Sequence, residues 1–393
     1  MKPAAARALP LPRPGTFAHT DARTLGHTVL GIAIGLTAFG LVMIYSWTAI
    51  KLTVIRPRFD PDAMLAKQVM WAFVAGVVGL VVSRVPLEFL RRHSHWLLGG
   101  LILLLVLTLV PGIGVLRNRS RRWLELGPVM LQASEFVKLA VVLYLADRLS
   151  RREEDPLGRR APWVPLLAPV GVTVALVLAQ PDLGTSLFVG ALGIVMLGLA
   201  GVRPGRLLPV ALLAIPLIVL VASHQFRHVS ERLEFFSKGV AADEQQMNGV
   251  IALGSGGALG RGLGAGTQKL GRVAEMQNDF IFTLIGEEMG FVGCAAVVLA
   301  FMAFVVYGRR IAERARDAVG PFPAYVAAGC TFAVAFQAVI NMAVATGSAP
   351  NKGVSLPFIS LGGSSLVTAF TAVGLLVNVS RVVAAEEAGD PWR

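Results

Sequence analysis

The sequence predicts an all-α polytopic membrane protein with about ten transmembrane helices. Three observations carry that reading. Hydrophobic residues make up 55% of the chain and charged residues only 15%. Apolar runs of about 18 residues or more recur along nearly its whole length. The alternating ten-residue segments of a membrane β-barrel do not occur.

The elements follow in order. Residues 1–25, rich in Pro, Ala and Arg, read as a disordered cytoplasmic tail. One transmembrane domain is expected over 26–384, with a second cytoplasmic tail at 385–393. Its spans fall near 26–48, 65–84, 96–112, 132–148, 164–180, 183–200, 207–223, 280–307, 321–346 and 363–384. A large loop at 224–279 separates the seventh span from the eighth. The first run lacks a small-residue cleavage site behind it, so it reads as a retained anchor. No internal repeat marks duplicated halves, as many transporters have. Cys294 and Cys330 lie inside apolar runs and are too few for a disulfide framework.

Basic residues set the orientation. Arg84, Arg91 and Arg92, then Arg148, Arg151 and Arg152, then Arg309, Arg310, Arg314 and Arg316 fall on one side, with both termini, which is therefore cytoplasmic. The outer side should be poor in positive charge and is not. Arg117, Arg119, Arg121 and Arg122 lie in one outer connection, and Arg227, Arg232, Lys238, Arg261, Lys269 and Arg272 in another. Solvated loop charge accounts for any one of them; together they favour a site for an anionic ligand. The net charge of +12 is otherwise a topology signal, and no nucleic-acid partner is expected.

The stretch GVIALGSGGALGRGLGAGTQK at 249–269 is apolar but too broken by glycine to span. It reads as a re-entrant or interfacial element packed on the protein. Its glycines would let backbone N–H groups approach a phosphate. It matches neither a P-loop nor a dinucleotide-binding fingerprint.

Four further elements carry candidate chemistry. In QNDFIFTLIGEEMG, helix geometry places Glu287 about 12 Å along the axis from Asp279 and turned by about 80°, with Glu288 turned by about 180°. Paired glycosidase carboxylates sit about 5 to 9.5 Å apart, so these three serve separate roles. Asp279, at the membrane–water boundary, is either a helix cap or a functional carboxylate. Glu287 and Glu288 read as buried structural partners facing the bundle interior. Glu135 and Lys138 stand at i, i+3, as an intrahelical pair or as a lysine held over a polar cavity. Asp182 sits in the tight turn QPDLGTS, where turn chemistry is the plain reading. Lys352 lies in an outer loop before LPFISLGGSS, where Ser364 and Ser365 read as caps of the last span. All of these converge on the outer face, around a shared polar cavity.

The motifs RRWLELG…QASEFVKLA, QPDLGTS, GSGGALGRGLGAGTQK, NDFIFTLIGEEMG and NKGVSLPFISLGGSS resemble the SEDS family, FtsW and RodA, over roughly 26–384. The NKG before LPFIS looks more like the FtsW branch. The resemblance implies a peptidoglycan glycosyltransferase of the bacterial cytoplasmic membrane, polymerising lipid II at its outer face in cell division or elongation. It implies a class B penicillin-binding transpeptidase and other divisome or elongasome proteins as partners, besides membrane lipids. The family's essential aspartate falls on Asp279, its fourth-span Glu and Lys on Glu135 and Lys138, its turn aspartate on Asp182, and its final-loop Lys-Gly on Lys352–Gly353. Arg122 and Ser364 are expected to bind substrate alongside these. Ala274, Gln277, Asn278 and Leu361 depart from the family's usual Pro, His, Thr and Tyr. Glu244–Gln245 stands where the family has Tyr-Gln, and Gln245 is expected to line the cavity with Glu287 and Glu288.

The implied reaction needs a base for an incoming sugar hydroxyl and positive charge for pyrophosphates. Asp279 is the expected base. The charge comes from Arg122, Lys138 and Lys352, and a divalent cation, Mg or Mn, is the one cofactor the reaction admits. A transporter of lipid-linked precursors or a scaffold for a transpeptidase would use the same cavity without forming polymer.

Overall fold

The computed structural model describes residues 21–55, 61–117, 120–127, 129–155, 163–203, 205, 207–209, 212, 216, 218–220, 234, 237, 244–267, 277–351 and 353–389. Its helices are α1 Ala22–Ile55, α2 Pro61–Val82, α3 Leu87–Leu109, α4 Ala133–Glu154, α5 Trp163–Ala179 and α6 Leu183–Leu199, then α7 Glu244–Ser255, α8 Ile281–Ala318, α9 Pro321–Ala345 and α10 Gly363–Glu387. Among the described residues, six helices are long and apolar enough to cross a membrane, namely α1, α2, α3, α8, α9 and α10. Two shorter apolar ones, α5 and α6, join them. With the family reported below, this is a multi-pass helical membrane protein. α4 is more polar than a lipid-facing span tolerates, and its burial explains how: Glu135, Lys138 and Asp147 are all covered by neighbouring helices.

Every expected span but one coincides with a helix. The seventh, 207–223, falls largely outside the described residues, although each described position between 205 and 220 is helical. Several boundaries differ from expectation, most of all the start of α3 at Leu87 and the end of α8 at Ala318. α1 already begins at Ala22, inside the predicted tail, and α10 runs on to Glu387. Residues 22 and 25 pack into the core, which is why helix starts there.

The all-α expectation also needs one correction. The connection between α3 and α4 folds as a three-stranded antiparallel sheet, β1 Gly114–Arg117, β2 Ser120–Leu126 and β3 Val129–Gln132, in the order β1-β2-β3. Gly127, at φ 63°, turns β2 back into β3. β3 then runs directly into α4, so the sheet is a rigid cap on that end of the bundle.

α10 is the axis of the bundle. It is 83% buried over its apolar window, against 17% for α2. Contacts at the helix ends sort the connections into two faces. Asn378 Nδ2 donates to the carbonyls of Val82 at 2.9 Å and Val85 at 2.6 Å. Arg91 pairs with Asp147 and Glu154, and Arg316 with Glu153. The start of α1, the end of α10, the α2–α3 and α8–α9 turns and the end of α4 therefore share one face, the terminal face. The sheet, the α5–α6 turn, the start of α8 and the segment before α10 share the other, the loop face.

The glycine-rich stretch takes a definite place. Its first residues form α7, and residues 256–267 clasp a break in α8. Gly290, at φ 66° and ψ −160°, interrupts that helix. The N–H groups of Phe291 and Val292 donate instead to the carbonyls of Gly257 at 2.9 Å and Ala258 at 3.1 Å. The carbonyls of Glu287 and Glu288 accept from Arg261 and Gly262, each at 3.0 Å. Irregular backbone is thus satisfied inside the protein, as lipid surroundings demand. The expected phosphate cradle is corrected accordingly: these amides serve the protein's own groups. Thr267 N–H donates to the Glu287 carboxylate at 2.6 Å, and Gly264 N–H to that of Glu288 at 3.1 Å. Ser46 of α1 adds a hydroxyl to Glu288 at 2.6 Å. Contact requires glycine here, since a Cβ on Gly260 would lie 2.1 Å from the Glu288 carbonyl oxygen.

Candidate active site

The site is built around residues 277–280, the turn that leads into α8. Three consecutive carbonyls of this turn each accept a donor from elsewhere in the fold. Leu361 N–H donates to Gln277 at 3.0 Å, Ser360 Oγ to Asn278 at 2.6 Å, and Asn341 Nδ2 to Asp279 at 2.8 Å. The turn is therefore fixed by the segment before α10 and by α9. The N-cap of α8 is Phe280, with no side-chain bond, so the helix-cap reading of Asn278–Asp279 does not hold. Asp279 is half-buried. Its carboxylate faces Gly353, where a Cβ would stand 3.0 Å from Oδ2.

A second group lies one turn away along α9. Lys138 Nζ is bonded to Glu135 Oε2 at 2.8 Å and to Gln337 Oε1 at 2.7 Å, and lies 5.0 Å from the centre of the Phe188 ring. The ammonium is thus held by a carboxylate, an amide and an aromatic face. Gln337 Nε2 donates in turn to the Ser355 carbonyl at 3.0 Å and to Ser365 Oγ at 3.2 Å. Lys138 is 4% exposed, and the void beside it measures about 20 Å³, room for a single water. The pair expected on one helix face is present; the open cavity expected beneath the lysine is closed here.

Gln337 and Asn341 were not singled out from the sequence, yet they join the two groups. They stand four residues apart on α9, a rise of about 6 Å on one face. Gln337 binds Lys138 and Ser355, while Asn341 binds the Asp279 carbonyl and, at 2.7 Å, that of Val354. One face of α9 therefore ties α4, the start of α8 and the segment before α10 together.

The third group is Arg122 on β2 with Asp182. Arg122 Nη1 lies 3.2 Å from Asp182 Oδ2. Asp182 also caps α6, accepting from Thr185 N–H at 3.0 Å. The turn reading of Asp182 and an electrostatic role thus coexist. The Nε of Arg122 is buried and has no partner among the described residues, which leaves a cationic donor at the foot of the sheet.

Other expected residues fall as follows. Ser364 does not cap α10, whose N-cap is Gly362; its Oγ accepts from Gln132 N–H at 3.1 Å, joining α10 to β3. Ser365 belongs to the Gln337 network instead. Gln245 is half-buried, while its neighbour Gln246 is the one turned inward, donating to Val344 and Ala349. Glu287 and Glu288 are buried in the clasp described above. Lys352 lies outside the described residues. Among the described residues, no three His, Cys, Asp or Glu side chains come together, so the donor set does not fit a metal held by protein ligands alone.

The arrangement is one half-buried carboxylate on a fixed turn, with a buried cation network beside it, and a part-exposed arginine paired with Asp182 on the same loop face. Such a site can accept a proton from a neutral group and hold negative charge. The family of cell cycle proteins FtsW, RodA and SpoVE matches residues 27–384. A probable peptidoglycan glycosyltransferase FtsW of Trichlorobacter lovleyi is 36% identical over 360 residues, covering 90% of this chain and 92% of its own. Stage V sporulation protein E of Bacillus subtilis is 36% identical over 354 residues, covering 89% and 95%. A chain of a peptidoglycan synthase complex that coordinates polymerization and crosslinking superposes with a TM-score of 0.70 at 26% identity, covering 90% of this chain and 97% of that one. The rod shape determining protein RodA of Thermus thermophilus superposes with a TM-score of 0.65 at 26% identity, covering 94% and 98%. With these motifs in this order on this bundle, the chain belongs to the FtsW, RodA and SpoVE family.

Proposed function

We propose that the chain is a peptidoglycan glycosyltransferase that polymerises lipid II, with Asp279 as general base. The observation that carries this is the turn at 277–279, whose three carbonyls are each held from outside while its carboxylate stays half-buried at the loop face. A base must be fixed relative to the hydroxyl it serves, and the local helix signal does not require this arrangement. The relatives named as glycosyltransferases, at 36% and 34% identity, support the reaction class.

In this reading the 4-hydroxyl of an incoming GlcNAc gives its proton to Asp279. Its oxygen attacks the anomeric carbon of the chain carried on polyprenyl pyrophosphate. The bond to the pyrophosphate breaks with inversion, and the pyrophosphate departs as an anion that needs no proton. The absence of a second acid from the reaction suits the separation of Asp279 from Glu287 and Glu288. Arg122 meets the pyrophosphate charge, and Lys138 positions the segment before α10 through Gln337. No step passes through a metal; a divalent cation, if bound with the substrate, would add positive charge for the pyrophosphate to that of Arg122. The loop face is extracytoplasmic in this reading, since arginines crowd the terminal face, and the bacterial cytoplasmic membrane is the proposed location, as the family resemblance implies. A class B transpeptidase is the proposed partner, supported by the polymerization–crosslinking complex.

The test is polymerisation of lipid II by the full chain, followed on a gel with and without its transpeptidase, and with and without a chelator. Wild type forms glycan strands and Asp279→Asn does not. An Asp279→Ala protein that polymerises at the parent rate would remove Asp279 from the mechanism. Absence of polymer under every condition would favour transport or scaffolding.

A further inference from the structure

One cavity among the described residues lies away from this site. It lies between the membrane-crossing helices α1, α2 and α10 and holds about 650 Å³. That volume falls within the range of about 300–1,000 Å³ typical of small-molecule sites. Its walls are apolar along most of their length, with Leu30, Ile34, Leu41, Leu80, Phe370 and Val377 among them. Its polar lining is concentrated at one end. His27, Ser83, Arg84 and Arg381 sit there, beside the start of α1, the end of α2 and the end of α10. That end is the terminal face.

Small residues make the space. Gly79 and Gly374 bring α2 and α10 into backbone contact, so close that a Cβ on Gly374 would lie 2.3 Å from the Gly79 carbonyl oxygen. Gly76, one turn along α2, has nothing within 4 Å of where its Cβ would be. The helices thus meet at one point and part beside it, leaving a slot instead of a closed seam. Arg84 and Arg381 are both exposed at the mouth, and Arg381 is steered by a 3.0 Å bond from Nη1 to the Ser83 carbonyl. A guanidinium carries five donors, so a phosphate can be taken up beside that bond.

We propose that this groove binds one anionic phospholipid from the leaflet at the terminal face. Its phosphate sits at Arg84 and Arg381, and an acyl chain lies along the slot past Gly76. Charge complementarity chooses this occupant. A transmembrane helix of a partner would fill the apolar length but leave two exposed arginines unanswered, whereas an anionic lipid satisfies both ends. The polyprenyl pyrophosphate of the proposed reaction is engaged at the opposite face.

The test uses the full chain, stripped of lipid in detergent. Phosphatidylglycerol and phosphatidylcholine of matched chains are then added in equal amounts, and native mass spectrometry counts the molecules of each that are retained. Wild type should retain the anionic lipid preferentially, and Arg84→Gln with Arg381→Gln should lose that preference by about tenfold. Arg92→Gln, exposed on the same face but outside the groove, should keep it. Gly76→Leu, where nothing lies within 4 Å of the new Cβ, extends a side chain into the slot and should reduce retention of both lipids. A photo-crosslinking residue placed at Leu80 should capture lipid. Equal retention of the two lipids by wild type, an equal loss in Arg92→Gln, or unchanged retention in Gly76→Leu would each overturn the proposal. So would capture at Leu80 of a polypeptide, whether a partner helix or a second copy. None of these readouts depends on polymerisation.

Discussion

Asn341 Nδ2 donates to the carbonyl oxygen of Asp279 at 2.8 Å and to that of Val354 at 2.7 Å. One amide thus sets the candidate base against the segment that faces it. Asn341 is itself buried, at 1% exposure, so water cannot replace it there.

Loss of that amide should therefore act on rate more than on fold. Asn341→Ala removes two hydrogen bonds, each contributing on the order of 1 kcal/mol to stability. A displaced base costs more, since a misplacement near 1 Å lowers rate by about a hundredfold. The expected outcome is a polymerisation rate lowered at least about tenfold, with lipid II binding unchanged. A rate equal to wild type in a folded Asn341→Ala protein would show that the amide does not position Asp279.

Gly353 offers a test of the carboxylate itself. It is not among the positive-φ glycines, so its backbone accepts alanine. The added Cβ would stand 3.0 Å from Asp279 Oδ2, and the carboxylate must shift to admit it. Gly353→Ala should keep the melting temperature of wild type and lose about tenfold to a hundredfold in polymerisation rate. Single-turnover measurement with saturating lipid II checks this directly.

The Glu135–Lys138 pair calls for a two-step experiment. Lys138→Ala leaves the Glu135 carboxylate without its buried cation, which costs about 3–5 kcal/mol when one partner of such a pair is removed. The double variant Glu135→Gln with Lys138→Met replaces both charges and should recover most of that stability. If Lys138 positions the segment before α10, activity stays low in the folded double variant. Recovery of both stability and polymerisation would confine the pair to a structural role.

Much of this was legible in the sequence because lipid makes apolar length a dominant signal. The spans, the burial of Glu287 and Glu288 and the Glu135–Lys138 spacing all follow from that. The sheet at 114–132 was not legible: strands of four, seven and four residues in a charged connection give too little alternation to read. Gln337 and Asn341 carry no charge to mark them, yet two amides at i, i+4 inside an apolar span are the same kind of signal. The cap at Asp279 failed for a tertiary reason. The carbonyls of residues 277–279 are drawn to outside donors, so the N-cap falls on Phe280, one residue later than local sequence suggests.

The clasp on α8 yields the most severe stability prediction. Alanine at Gly290 would have to hold φ 66° and place its Cβ 2.3 Å from the Gly260 nitrogen. Backbone strain of that kind costs about 1–3 kcal/mol before any clash is counted. Ser46→Ala is the milder companion. It removes only a hydroxyl donor to the Glu288 carboxylate, and a hydrogen bond to a charged group contributes about 1.5–3 kcal/mol. Gly31→Ala on α1 is the control, since nothing lies within 4 Å of the new methyl. Melting curves of the purified chain in detergent should rank Gly290→Ala lowest, Ser46→Ala between, and Gly31→Ala level with wild type. A Gly290→Ala protein that melts with wild type would mean that residues 256–267 do not hold the break in α8, and that Glu287 and Glu288 are kept buried by something other than the clasp.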